Sequence, residues 1–121
     1  MSIKNILLVD DDDINLFVGE KVLTRGGFNV DKANSGAKAL ELTKEKLFDL
    51  ILMDVNMPLM DGIQTAKYIR KEANLNNEIP IFVLSSHEEQ EAKRIASDNN
   101  LNGFLPKPIQ VADVQEAISK L

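Results

Sequence analysis

The sequence predicts a doubly wound α/β domain, a parallel sheet with helices on both faces, on three observations. Short apolar runs and longer helix-length stretches alternate five times along the chain, the order that right-handed strand–helix–strand crossovers produce. Three of the five runs are continuously apolar, as strands covered on both faces are. The length of 121 residues supports one core and not two, and no linker, repeat or low-complexity segment divides it, so residues 1–121 read as one domain.

The first run is Asn5–Val9, and Ile14–Arg25 follows as a helix stopped by Gly26–Gly27. Ile14, Val18 and Val22 recur at helical spacing and are expected to face the core. Phe17 then lies off that face, and Leu16 flanks the opposite side. A second strand covers Asn29–Ala33 and a second helix Gly36–Glu45. The third run, Leu50–Met53, leads through "DVNMPLMDG" into a helix over Ile63–Glu72. Ile81–Leu84 reads as the fourth strand and Glu89–Asp98 as the fourth helix, with the charged run "HEEQEAKR" a solvated, weakly held start. Gly103–Leu105 is the last strand. Val111–Leu121 is the last helix, and it carries the cleanest stripe: Val111, Val114, Ala117, Ile118 and Leu121. Met53, Met57 and Met60 pack in or border the loop after the third strand. Pro58 rigidifies that loop, and Gly62 and Gly103 serve turns or close backbone approaches.

Composition narrows the function classes. Hydrophobic residues make up 44% and charged residues 27%, an ordinary globular balance. The absence of cysteine excludes disulfides, thiolate metal sites and cysteine nucleophiles. The apolar runs are too short to span a bilayer and no signal-peptide pattern opens the chain, so a cytoplasmic protein without membrane insertion is expected. A net charge of −5 argues against direct nucleic-acid binding, which needs a basic footprint.

In doubly wound sheets ligands bind beyond the carboxyl ends of the strands. That rule selects Asp10–Asp13, Asn34–Ser35, Asp54, Ser85–Ser86–His87 and Lys107. Two carboxylates about 4 Å apart repel by roughly 4 kcal/mol at an effective dielectric near 20, so the four consecutive aspartates demand a countercharge. Oxygen ligands without cysteine or histidine at hand select a hard cation, Mg²⁺ first, with Mn²⁺ or Ca²⁺ next. An EF-hand does not fit: counted from Asp10, the sixth position is Asn15 where glycine is needed, and no glutamate stands at the twelfth. A site assembled across strands does fit. Asp54, beside such an ion, can act as a nucleophile toward a phosphoryl group. Lys107 and Ser85 can contact the phosphoryl oxygens, and positioning with charge neutralisation supplies most of the catalysis.

The segments "ILLVDDD" (6–12), "LILMDVNMPLMDG" (50–62), "IPIFVLSS" (79–86) and "GFLPKPI" (103–109), in this order, resemble the receiver domains of two-component response regulators over nearly the whole chain. The resemblance implies a flavodoxin-like five-stranded parallel sheet in the order 2-1-3-4-5 flanked by five helices. It implies Asp54 as phosphoacceptor, Asp10 and Asp11 as the Mg²⁺-holding pair, and the backbone carbonyl of Asn56 as a further metal ligand. Lys107 corresponds to a phosphate-contacting lysine with a cis bond to Pro108, Ser85 to the switch hydroxyl, and Phe104 to the switch aromatic. Asp12 and Asp13 are left to cap the first helix, each for about 0.3–1 kcal/mol.

The expected function is that of a phosphorelay switch. It takes a phosphoryl group from a histidine kinase or histidine phosphotransfer domain onto Asp54 and changes conformation to control a downstream protein. It is not an enzyme acting on separate substrates; its only turnover is its own phosphorylation and dephosphorylation. His87 and the Asn56 side chain are candidates for tuning phosphate lifetime, and Leu16 and Phe17 for docking the donor. A phosphatase of the haloacid-dehalogenase type is the enzyme alternative, but it wants aspartate where this chain has Asn56. A flavodoxin or dinucleotide module lacks its glycine-rich phosphate loop. A pseudo-receiver acting only as a binding module is disfavoured by the full set of acceptor-site residue types. The opening "MSIKNILLVD" suits a stand-alone regulator, while "DDINLFV" and "FLPKPI" also resemble receivers within hybrid kinases and longer regulators.

Overall fold

Strand and helix alternate as expected. β1 (Asn5–Val9), β2 (Asn29–Ala33), β3 (Leu50–Asp54), β4 (Ile81–Ser85) and β5 (Gly103–Pro106) are each followed by a helix: α1 (Asp13–Arg25), α2 (Gly36–Glu45), α3 (Gly62–Ile69), α4 (Glu89–Asp98) and α5 (Val111–Ser119). The computed structural model describes residues 3–55, 62–71, 74–85 and 89–121. All four strand pairings are parallel, and the sheet order is β2-β1-β3-β4-β5.

The period of two along each strand divides the core between the faces. Leu7, Val9, Ile51, Met53 and Ile81 join Ala39, Phe48, Ala66 and Ile69 under α2 and α3. Ile6, Leu8, Leu50, Leu52, Phe82 and Leu84 join Leu16, Leu23 and Val114 under α1 and α5. β3 and β4 are buried along their whole length, which is why their sequences are continuously apolar. β2, at the sheet edge, is mostly accessible and correspondingly polar.

The rotation of α1 departs from the periodicity. Its buried residues are Leu16, Gly19 and Leu23, whereas Ile14 is 73% and Val18 46% exposed. Both stripes recur at helical spacing, and glycine decides between them. A β-carbon on Gly19 would lie 2.7 Å from Leu8 Cδ2 and 3.1 Å from Ile109 Cδ1, so the bare backbone is what seats the helix against β1. Leu16 is therefore a core residue at 5% exposure, not a docking residue. Phe17 remains open to solvent at 56%.

Two helices are shorter than the pattern suggests. α3 ends at Ile69, not at Glu72, which lies outside the described residues. The Arg70 guanidinium there leaves the helix line to donate to Ile79 O at 2.6 Å, Asn77 O at 3.3 Å and Asn102 Oδ1 at 3.1 Å. Its burial lowers its pKa from the usual arginine value. α5 ends at Ser119, which leaves Leu121 exposed. Gly26 closes α1, and Gly27 takes the left-handed φ of +93° that turns the chain into β2.

A polar knot that the sequence did not advertise ties α2 to the segment before β4. Asn76, fully buried, donates to Thr43 O at 2.7 Å and Lys46 O at 2.8 Å and accepts from Phe48 N–H at 2.8 Å. Asn74 donates to Thr43 Oγ1 at 3.0 Å.

Candidate functional site

The register brings the strand ends to one rim. Val9 lies opposite Met53, Met53 opposite Val83, and Ser85 opposite Pro106. Asp10, Asp54, Ser85 and Lys107, distant in sequence, therefore emerge side by side. β1 passes into Asp10, whose N–H donates to Ala33 O at 3.1 Å. Its Oδ1 accepts from Asp12 N–H at 3.0 Å, which folds the chain back toward α1. Asp12 then caps that helix, with its Oδ1 accepting from Ile14 N–H at 2.8 Å and Asn15 N–H at 3.2 Å. Asp13 sits in the first turn, where the positive end of the helix dipole favours a carboxylate. Two of the four aspartates are thus absorbed by local structure.

The other two belong to the site. One carboxylate oxygen each from Asp10, Asp11 and Asp54 lies within 4.8 Å of the others. Asp10 and Asp54 are both only 3% exposed, whereas Asp11 faces solvent. Lys107 reaches over from the end of β5, with its Nζ 3.1 Å from Asp54 Oδ1 and 3.5 Å from Asp10 Oδ2. The Lys107 N–H donates to Ser85 O at 3.2 Å, which fastens the β5 end to the β4 end. The Lys107–Pro108 peptide is cis, as the family resemblance implies.

Among the described residues three carboxylates meet one ammonium, an excess of negative charge, and the donors are all hard oxygens. That combination fits one divalent cation of the Mg²⁺ class, with Asp10, Asp11 and Asp54 as the residues to hold it.

Ser85 is buried at the rim, one residue beyond Leu84, which lies opposite Asp54 in the β3–β4 pairing. Phe104 is partly buried and packs on the cluster of Val55, Val83 and Ala96. Val55, a member of that cluster, directly follows Asp54 in the chain. Asn56 and His87 lie outside the described residues, as do Met57, Pro58 and Met60. One feature escaped the periodicity: the exposed pair Ile14 and Val18 beside Phe17, for which the glycine at 19 was the available signal. The close backbone approach expected at Gly62 is found, behind Asp54.

Comparison with known proteins agrees with this arrangement. A family model described as the response regulator receiver domain matches residues 6–119. The chain is 36% identical over 120 residues to hybrid signal transduction histidine kinase E of Dictyostelium discoideum, covering 97% of this chain and 7% of that protein. It is 37% identical over 116 residues to the transcriptional regulatory protein ZraR of Escherichia coli O157:H7, covering 96% of this chain and 26% of that protein. The chain thus spans about a quarter or less of the length of these relatives. Among solved structures, the chemotaxis response regulator CheY4 of Vibrio cholerae is 27% identical with a TM-score of 0.84 and 98% of each chain covered. The receiver domain of sensor histidine kinase PA1611 from Pseudomonas aeruginosa PAO1, solved with magnesium coordinated in its active-site cleft, is 28% identical with a TM-score of 0.84, covering 98% of this chain and 97% of that one.

Proposed function

The chain belongs to the response regulator receiver domain family, and from that premise we propose that it accepts a phosphoryl group from a phosphohistidine onto Asp54. The observation that carries this reading is the convergence of Asp10, Asp11, Asp54 and Lys107 at one rim. In the transfer an Asp54 carboxylate oxygen attacks phosphorus, the P–N bond breaks, and its electron pair returns to the donor imidazole. Mg²⁺, when bound, supplies charge neutralisation for the attacking carboxylate and the phosphoryl oxygens. The magnesium coordinated in the related receiver of PA1611 supports that assignment. Lys107 is placed to exchange its contact with Asp54 for one with a phosphoryl oxygen. Asp10 stays behind as its second partner, so the ammonium remains in place through the step.

Ser85 and Phe104 carry the response. A phosphoryl group on Asp54 gives the Ser85 hydroxyl a new acceptor, and Phe104 repacks against the Val55–Val83–Ala96 cluster, a local charge event that biases two packings. This is a switch with self-directed turnover, not an enzyme with separate substrates. The reading carries a cytoplasmic location, and among the described residues no helix is long and apolar enough to cross a membrane.

Donor docking falls to α1. Ile14, Phe17 and Val18 form an exposed apolar patch, with the Lys21 ammonium 5.3 Å from the Phe17 ring centroid. A small cleft lined by Val18, Ile109, Asp10 and Lys107, among others, joins one residue of the patch to Asp10 and Lys107. A donor helix seated on α1 would place its histidine over that cleft.

The test is intact mass after incubation with acetyl phosphate and Mg²⁺. The wild-type chain is expected to gain one phosphoryl group and Asp54→Ala none. Labelling of Asp54→Ala to the wild-type extent would end the proposal.

A further inference from the structure

Gly62 opens α3 directly behind the acceptor, and we infer that its missing side chain holds the Asp54 carboxylate in register with Asp10 and Lys107. Gly62 is a positioning residue for phosphoryl acceptance, an inference that rests on the reading of Asp54 as phosphoacceptor. A β-carbon at Gly62 would collide with the Asp54 carbonyl oxygen, and would lie 2.8 Å from the Asp54 carbonyl carbon and 2.9 Å from Val55 Cα. These are backbone atoms, so no side chain can swing aside to make room. The Gly62 N–H also donates to Val55 O at 3.3 Å, tying the helix start to the residue that follows the acceptor.

Neither partner can retreat cheaply. Beyond Gly62, α3 is held by the buried residues Thr65, Ala66 and Ile69, the last two packed with Val9 and Met53. β3 is held by its parallel pairing with β1 on one side and β4 on the other. Carbon contacts settle at about 3.5–4.0 Å, so an added carbon must be absorbed at this joint by a shift on the order of 1 Å. The Asp54 peptide moves with the joint. Lys107 Nζ sits only 3.1 Å from Asp54 Oδ1, so a shift of that size takes the contact out of hydrogen-bond range. It also spoils the convergence of the three carboxylates that now lie within 4.8 Å.

The experiment uses the full chain carrying Gly62→Ala, with two comparison variants. Ile69→Val loosens the same helix away from Asp54. Gly26→Ala crowds the far end of α1, where its β-carbon meets the Val111 methyls at 3.1 Å. Labelling rate with acetyl phosphate per folded molecule and Mg²⁺ half-saturation by calorimetry are measured beside urea unfolding. Gly62→Ala is expected to label about 100-fold more slowly, the cost of a misplacement on the order of 1 Å. Its Mg²⁺ half-saturation is expected to rise about 10-fold, as for a lost supporting interaction. The two comparison variants lose stability but keep the wild-type rate and Mg²⁺ half-saturation.

Wild-type labelling and Mg²⁺ binding in folded Gly62→Ala would overturn the inference, as would an equal loss in all three variants. Should Gly62→Ala not fold, amide exchange of the wild type decides. Mg²⁺ binding is expected to slow exchange at the Gly62 N–H, and an unchanged rate there counts against the inference. If the wild type binds Mg²⁺ but never labels, the phosphoacceptor reading fails instead, and the Mg²⁺ arm alone then judges Gly62.

Discussion

Replacing Lys107 by methionine removes the ammonium that, among the described residues, contacts both buried carboxylates of the site, while keeping much of the side-chain bulk. From the Nζ distances of 3.1 Å to Asp54 and 3.5 Å to Asp10, the gross attraction is about 5 kcal/mol to each at an effective dielectric near 20. Desolvation already offsets most of that sum. What remains is the cost of removing one partner from a buried ion pair, about 3–5 kcal/mol when the pair is fully buried. The Lys107 side chain is 26% exposed, which trims the expected loss to about 2–4 kcal/mol in EDTA. A divalent ion can replace the missing charge, so added Mg²⁺ should close most of the gap, and Lys107→Met should bind Mg²⁺ at least as tightly as wild type. Mg²⁺ on the carboxylates does not supply the contact to the phosphoryl oxygens, so labelling by acetyl phosphate should slow about 100-fold even at saturating Mg²⁺. Urea unfolding with and without Mg²⁺, together with the labelling rate, makes the check. Wild-type stability in EDTA joined to a wild-type labelling rate would refute the reasoning.

Other predictions are more local. Phe17→Ala should lose transfer from a cognate histidine donor while acetyl phosphate labelling holds and stability changes by less than about 0.5 kcal/mol; equal loss of both transfers would point to folding damage. Asp12→Ala removes an N-cap and should cost about 1 kcal/mol in urea unfolding, with labelling unchanged. Asn76→Ala strands the buried Thr43 carbonyl and the buried Phe48 N–H and takes a partner from the partly buried Lys46 carbonyl, so a loss of about 3 kcal/mol is expected in the same assay.

Much of the architecture was legible because parallel strands covered on both faces must be apolar throughout. "LILM" and "IFVL" could hardly lie elsewhere than in β3 and β4. The site was legible for a related reason, since parallel strands of similar length deliver the residues after them to one rim. The rotation of α1 was not. Ile14–Val18–Val22 and Leu16–Gly19–Leu23 both recur at helical spacing, and apolarity favours the wrong one. Only the close approach to Leu8 that Gly19 permits settles the choice. The Thr43–Asn74–Asn76 knot was hidden likewise: asparagines in a turn read as solvated until backbone groups from another loop are seen to need them.

The account stands on a carboxylate accepting phosphorus at the point where Asp10, Asp11 and Lys107 meet. Borohydride reduction of the acetyl phosphate-treated chain, followed by peptide mapping, locates an acyl phosphate directly. Reduction is predicted at residue 54 alone and only when Mg²⁺ was present. Trapping at another residue, or at residue 54 to the same extent in EDTA, would contradict it.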